Sequence, residues 1–446
     1  MTGLTRRETL AALGSVGVGT LAGCTREEPS FWDDPPNFDA TDLGDATAEP
    51  VPDRASLLPV VLDGSVVDSF TDRVTRLLEP IPDPLSRDRL PNGAFRSHIE
   101  TRRDDARETL DAAAEQTPAL TGAETLADAR GYAADAVGTW AAVTTGGDPG
   151  AVTQPVSRVR RDAEQLADDL PDLAADPQEG VVVYGAFQRP LDVAIRSDLG
   201  PSPSTVASAA DPLRTGDVVG TVERVVAQSE AIQHLRDRYV EQLDEPTPVD
   251  GELAAAVETL GPMLEDRLLE PHDAEPRYPT DPPRRGAFIN DTDLPRDAPS
   301  VRLLRRRRNE FYRELRFDPT PTREYIPDRT ATALRRAYLT LVHLETFEEV
   351  GERINGDDEM FPATGEAVSE TRSTAMGDLR RLLAAQSPLE NWLGNRLRDI
   401  VHEGDAELEG SDDPRAAATA YTDYQWVSIA AAVAPDVTET FHEILA

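Results

Sequence analysis

Apolar residues recur at intervals of three and four along most of the chain, the spacing that lines one face of an α-helix. Val218, Val219, Val222, Val225, Val226, Ile232, Leu235, Tyr239 and Leu243 trace one such face. Leu334, Tyr338, Leu341, Leu344, Phe347, Val350 and Ile354 trace a second, and Leu389, Trp392, Leu393, Leu397, Ile400 and Val401 a third. Ala-rich amphipathic stretches at 102–116, 123–143, 156–169, 250–269, 301–316, 367–386, 414–433 and 436–445 extend the pattern. Many of them begin after Asp, Ser or Thr, or carry Pro near the start, as helix N-termini do. The predicted fold class is therefore all-α, a multi-helix bundle or an array of helical hairpins with about ten to twelve helices and no substantial sheet.

Val181-Val182-Val183-Tyr184 is the most strand-like run. It follows a Pro-Gln-Glu-Gly turn and continues into Ala186, Phe187 and Leu191, so a buried helix interrupted near Pro190 is the better expectation. Two Pro-rich breaks punctuate the chain, at 199–217 and, more densely, at 271–299. They divide it into helical regions over 54–200 and 214–446, the latter carrying the loop at 271–299. That loop is too long for a simple bundle connection. No fixed-period repeat is present.

The first residues carry a different signal. Arg6 and Arg7 stand before a weakly hydrophobic, Gly-containing run from Leu10 to Ala22. The run is about 13 residues long, against roughly 20 for a bilayer span. It reads as a signal peptide over 1–23, in the twin-arginine pattern that exports folded proteins. Leu21-Ala22-Gly23-Cys24 closes the segment, with Cys24 the only cysteine of the chain. Thr5 to Leu10 with Leu21 to Cys24 resembles the export signal of haloarchaeal twin-arginine lipoproteins. The resemblance covers about two dozen residues. It implies cleavage, lipidation of Cys24 and anchoring at the outer, extracytoplasmic face of the cell membrane. Residues 24–53, acidic and Pro-rich, then read as a solvated tether.

Composition sharpens this picture. Asp and Glu number 82 against 45 basic residues, a formal net charge of -37, and every basic residue is arginine. Such a charge repels itself in dilute buffer. In molar salt the Debye length falls to about 3 Å and the repulsion is screened. Salt adaptation is the expectation, and nucleic acid is excluded as a partner, because phosphate contacts need a positive surface.

Candidate chemistry is sparse. Arg302, Arg305, Arg306, Arg307 and Arg308, with Arg313 and Arg316, lie on the amphipathic stretch at 301–316. They are candidates for holding an anionic ligand. The competing reading is neutralisation by the chain's own carboxylates, which applies more strongly to Arg335-Arg336 and Arg380-Arg381. The six histidines are scattered, and only Glu439-x-x-His442 and Asp399-x-x-His402 approach a metal-ligand spacing. No metal site and no cofactor is expected. Asn290-Asp291-Thr292 is the single glycosylation sequon. The expected function is that of a surface-anchored lipoprotein, a helical binding or scaffold module with the membrane and an envelope protein as partners. The alternative is an extracytoplasmic enzyme built from scattered Arg, His and carboxylates.

Overall fold

The computed structural model describes residues 47–113, 119–146, 150–170, 173–193, 211–269, 329–355, 364–409 and 411–446, with isolated positions 38, 43, 195, 304, 306, 307 and 362. Among the described residues there are eleven helices and one small ribbon. The first helices are α1 (Gly64–Leu78), α2 (Gly93–Ala113), α3 (Ala119–Thr145), α4 (Gly150–Asp168) and α5 (Pro177–Val193). They are followed by α6 (Pro212–Gln242), α7 (Asp250–Leu269), α8 (Thr330–Asn355), α9 (Gly365–Leu383), α10 (Pro388–Leu408) and α11 (Pro414–Leu445). The ribbon pairs β1 (Leu173–Ala174) antiparallel with β2 (Thr247–Pro248). The fold is all-α.

Local chemistry sets several helix starts. Asp211, Ser387 and Asp413 each precede a proline and accept a hydrogen bond from a backbone N–H of the first turn. Thr364 caps α9 in the same way. Proline at the first helical position has no N–H to leave orphaned, and its fixed φ suits the helix.

Two expected interruptions do not occur. Helix α5 runs through Pro190, and α11 runs through Pro435 as one element rather than as two stretches. An internal proline costs about 3 kcal/mol. Here the flanking turns are buried, with Phe187 and Leu191 beside Pro190, and Ala434, Val437 and Phe441 beside Pro435. Packing holds both helices past the break.

Helices α1, α2 and α6 gather around α3, with α4 packed on α6, while α7, α9 and α10 gather around α8 and α11. Helix α5 joins the two groups, packing on α8 and α10 as well as on α4 and α6. Its Val181, Val182, Val183 and Tyr184 are fully buried, as expected of a buried helix. The Tyr184 hydroxyl donates to the Leu173 carbonyl and accepts from the Leu173 N–H, which ties β1 to α5. One hydrophobic core runs through both groups, from Leu126 of α3 through α5 to Trp392 and Phe441.

The expected tether does not stay free up to residue 53. Phe38 and Leu43 are buried in the main core. Arg372 donates to the Glu49 carbonyl and Arg398 Nε to that of Pro52. The side-chain amide of Asn395 accepts from the Ala55 N–H and donates to its carbonyl, both at 2.9 Å. The described residues before α1 thus form a strap held against α9 and α10, and the acidic composition of this stretch hid its few apolar anchors and the backbone groups that arginines hold.

Candidate functional site

Among the described residues a cleft of about 650 Å³ lies between the two helix groups. Helix α3 supplies Leu120, Thr121, Glu124, Ala127 and Asp128 to its wall, and α6 supplies Arg224 and Gln228. Opposite them stand Arg335 of α8 and Trp392, Asn395, Arg396 and Asp399 of α10. Ala186, Arg189, Pro190 and Val193 of α5 line it too, and the strap closes one edge with Arg54 and Leu57. Five arginines thus face three carboxylates, an inversion of the chain's overall charge.

Two of these arginines are matched by acids. Arg54 Nη2 lies 2.5 Å from Asp399 Oδ1, and Arg224 Nε lies 3.0 Å from Asp128 Oδ1. Glu124 has its carboxyl pKa raised by the crowded wall, pulled down by Arg189 and raised again by Asp128.

Arg335 is different. It is 8 % exposed, and among the described residues its guanidinium has no hydrogen bond or ion pair. Its one strong contact is aromatic, 4.7 Å above the Trp392 ring, which Arg396 also approaches at 5.6 Å. Burial pushes its pKa down to about 9, helped by repulsion from Arg189 and Arg396. Gly185 of α5 makes its course possible, since a Cβ there would overlap Arg335 Cδ. Among the described residues the neutralisation expected for Arg335 is therefore absent. Arg380 and Arg381 do find acids, Glu49 and Asp378.

Of the expected anion-binding residues, the structure describes Arg306 and Arg307, and neither lines the cleft. Arg306 and Arg307 both turn to Asp423, a fully buried carboxylate of α11, with Arg306 Nη2 3.6 Å from Oδ2. Arg302, Arg305, Arg308, Arg6, Arg7, Cys24 and Asn290 lie outside the described residues. His98 meets Asp135, His234 lies 3.5 Å from Asp63, and His343 packs edge-on against Trp426. His402 and His442 are exposed. Among the described residues no cluster of three or more His, Cys, Asp or Glu is placed to hold a metal. No described helix is long and apolar enough to cross a membrane.

The sequence did carry a trace of the cleft. Arg335 stands in line with Ala331, Tyr338 and Val342, at helical spacings of four and three, and all three neighbours are buried. An arginine on a buried face is the signal; its lack of an acidic partner is not legible from spacing.

The chain matches two families. Residues 65–245 match a domain of unknown function (DUF8262), and residues 250–443 match another (DUF8264). The junction between the matches falls at β2, and the cleft draws walls from both. No curated protein and no solved structure matches the chain.

Proposed function

We propose that the protein is a lipid-anchored binding module of the cell envelope, held at the outer face of a membrane through Cys24 and working in concentrated salt. Its cleft takes a small ligand between the two helix groups. The observation that carries this reading is Arg335, a buried charged group that lines a cavity without a counter-charge among the described residues. Buried charges in stable folds are normally paired. One that faces a cavity is better explained by a ligand than by stability. The cleft volume lies within the range of small-molecule sites, roughly 300–1,000 Å³. A pure scaffold has no use for such a feature.

Two experiments test the reading. Cys24→Ser should move the protein from the membrane to the soluble fraction, and retention on membranes would defeat the anchor. Purification from native membranes in molar salt, through a C-terminal tag, should recover a small molecule by mass spectrometry. Recovery of only a stoichiometric envelope protein would favour a scaffold instead.

A further inference from the structure

We infer that the cleft binds a small amphipathic organic anion, with its oxyanion head against Arg335 and its apolar body along Leu57, Pro190 and Val193. This rests on the binding-module reading above and names the ligand class of the same site.

The first argument compares Arg335 with the other buried arginines. Six arginines are buried among the described residues: Arg103, Arg130, Arg307, Arg329, Arg335 and Arg372. Five of them hold a carboxylate: Asp83, Glu223, Asp423, Asp192 and Asp405 respectively. The chain offers nearly two acids for every arginine, so an acidic partner is the default. Arg335 alone departs from it, and it is the one that lines the cleft. A buried guanidinium left without a counter-charge strongly favours capture of an anion.

The second argument is geometric. The Arg335 guanidinium carbon lies 4.7 Å from the centroid of the Trp392 ring, over its face. Cation–π stacking fixes the group without using its N–H donors. Its Nη1 is buried without a hydrogen-bond partner among the described residues, and a guanidinium is a planar fork that matches a carboxylate or a phosphate with two parallel hydrogen bonds. Arg189 and Arg396 add positive charge beside it, close enough to lower its pKa.

The third argument is size and lining. A bare inorganic anion would fill a small part of about 650 Å³. The remaining wall includes Leu57, Leu120, Pro190 and Val193, and Val193 is 47 % exposed, one of two exposed large hydrophobic residues among the described residues. An anion with an apolar body uses both parts of the wall.

The test uses the full-length lipidated protein in detergent and molar KCl, with thermal unfolding as the readout. The probes are 4-phenylbutyrate, phenyl phosphate and the neutral 4-phenyl-1-butanol. At least one anion should raise the melting temperature with dose, while the alcohol should not. Protection by phenyl phosphate alone assigns a phosphate head, and by phenylbutyrate alone a carboxylate. Arg335→Met should weaken binding of the protective anion at least tenfold and raise the melting temperature of the ligand-free protein. If that variant does not fold, Arg335→Lys, which keeps the charge but loses the fork, carries the same comparison. The inference is overturned if the alcohol protects as well as the anions, if no anion protects, or if binding survives loss of the fork. A neutral molecule recovered from native membranes would sink the ligand class while leaving the binding module standing.

Discussion

Arg372 of α9 grips both carboxylate oxygens of Asp405 on α10, Nε to Oδ1 at 2.8 Å and Nη2 to Oδ2 at 2.7 Å. The same Nη2 reaches the Glu49 carbonyl at 2.7 Å, and the Tyr424 hydroxyl donates to Asp405 Oδ1 at 2.7 Å. The Arg372 side chain is 2 % exposed. Three helices and the strap therefore meet at one ion pair. Removing one member of a buried ion pair leaves the other uncompensated, at about 3–5 kcal/mol. Asp405→Ala should lower stability by about 3 kcal/mol in urea unfolding. A double-mutant cycle with Arg372→Met should return a coupling above about 1 kcal/mol. A coupling near zero would show that the pair is not formed in solution. Arg335→Met is expected to have the opposite sign, because there the charge has no carboxylate to strand.

Helices α3 and α6 approach so closely that glycines are required at their contact. A Cβ at Gly216 would overlap the Asp135 carboxylate and the Thr139 hydroxyl, and one at Gly220 would lie 2.7 Å from the Gly131 carbonyl. Asp135 cannot yield easily, since His98 Nε2 and Arg102 Nε hold it at 3.0 and 2.8 Å. Alanine gains about 1 kcal/mol of helix propensity over glycine. Overpacking costs about 1–3 kcal/mol, and more where the neighbour is rigid. The clash wins at this position, so Gly216→Ala should lower the melting temperature. Gly377 of α9 is exposed and a Cβ there meets nothing within 4 Å, so Gly377→Ala should raise stability by up to about 1 kcal/mol. Equal effects at the two sites would refute the close contact.

His343 gives the fold an acid sensitivity of known sign. Burial pushes its pKa down to about 3, and repulsion from Arg396 and Arg307 adds to this. The unfolded chain takes up the proton near the ordinary value of about 6.5. Between those values the unfolded state binds the extra proton, so stability is full above about pH 6.5 and declines as pH falls toward 3. The slope from one such group is at most about 1.4 kcal/mol per pH unit. His343→Phe keeps a ring against Trp426 and removes the proton site. Its melting temperature should fall less steeply than the wild type's across that window. Parallel curves would mean that His343 titrates normally.

The all-α class and most helix positions were legible because they depend on short-range physics. Three- and four-residue spacing places an apolar face, and a cap followed by proline starts a helix, as at Ser387-Pro388 and Asp413-Pro414. The continuity of the helices through Pro190 and Pro435 was not legible. Pro190 and Pro435 break helices locally, and only the core around Phe187 and Phe441 outweighs that preference. The strap was hidden for a similar reason, since an acidic stretch with isolated apolar residues looks solvated until Leu43 is seen in the core.

The sequence by itself determined the helical class, the acidic surface and the expectation of export and lipidation at Cys24, all of which rest on residues near one another in the chain. Only the tertiary structure decided which arginines are neutralised. The spacing puts Arg335 on a buried face but does not say what it meets there; among the described residues α5, α8 and α10 bring it to Trp392, Arg189 and Arg396 rather than to a carboxylate. Charge pairing depends on side chains converging within a few ångströms from distant parts of the chain, and composition cannot say which of them meet.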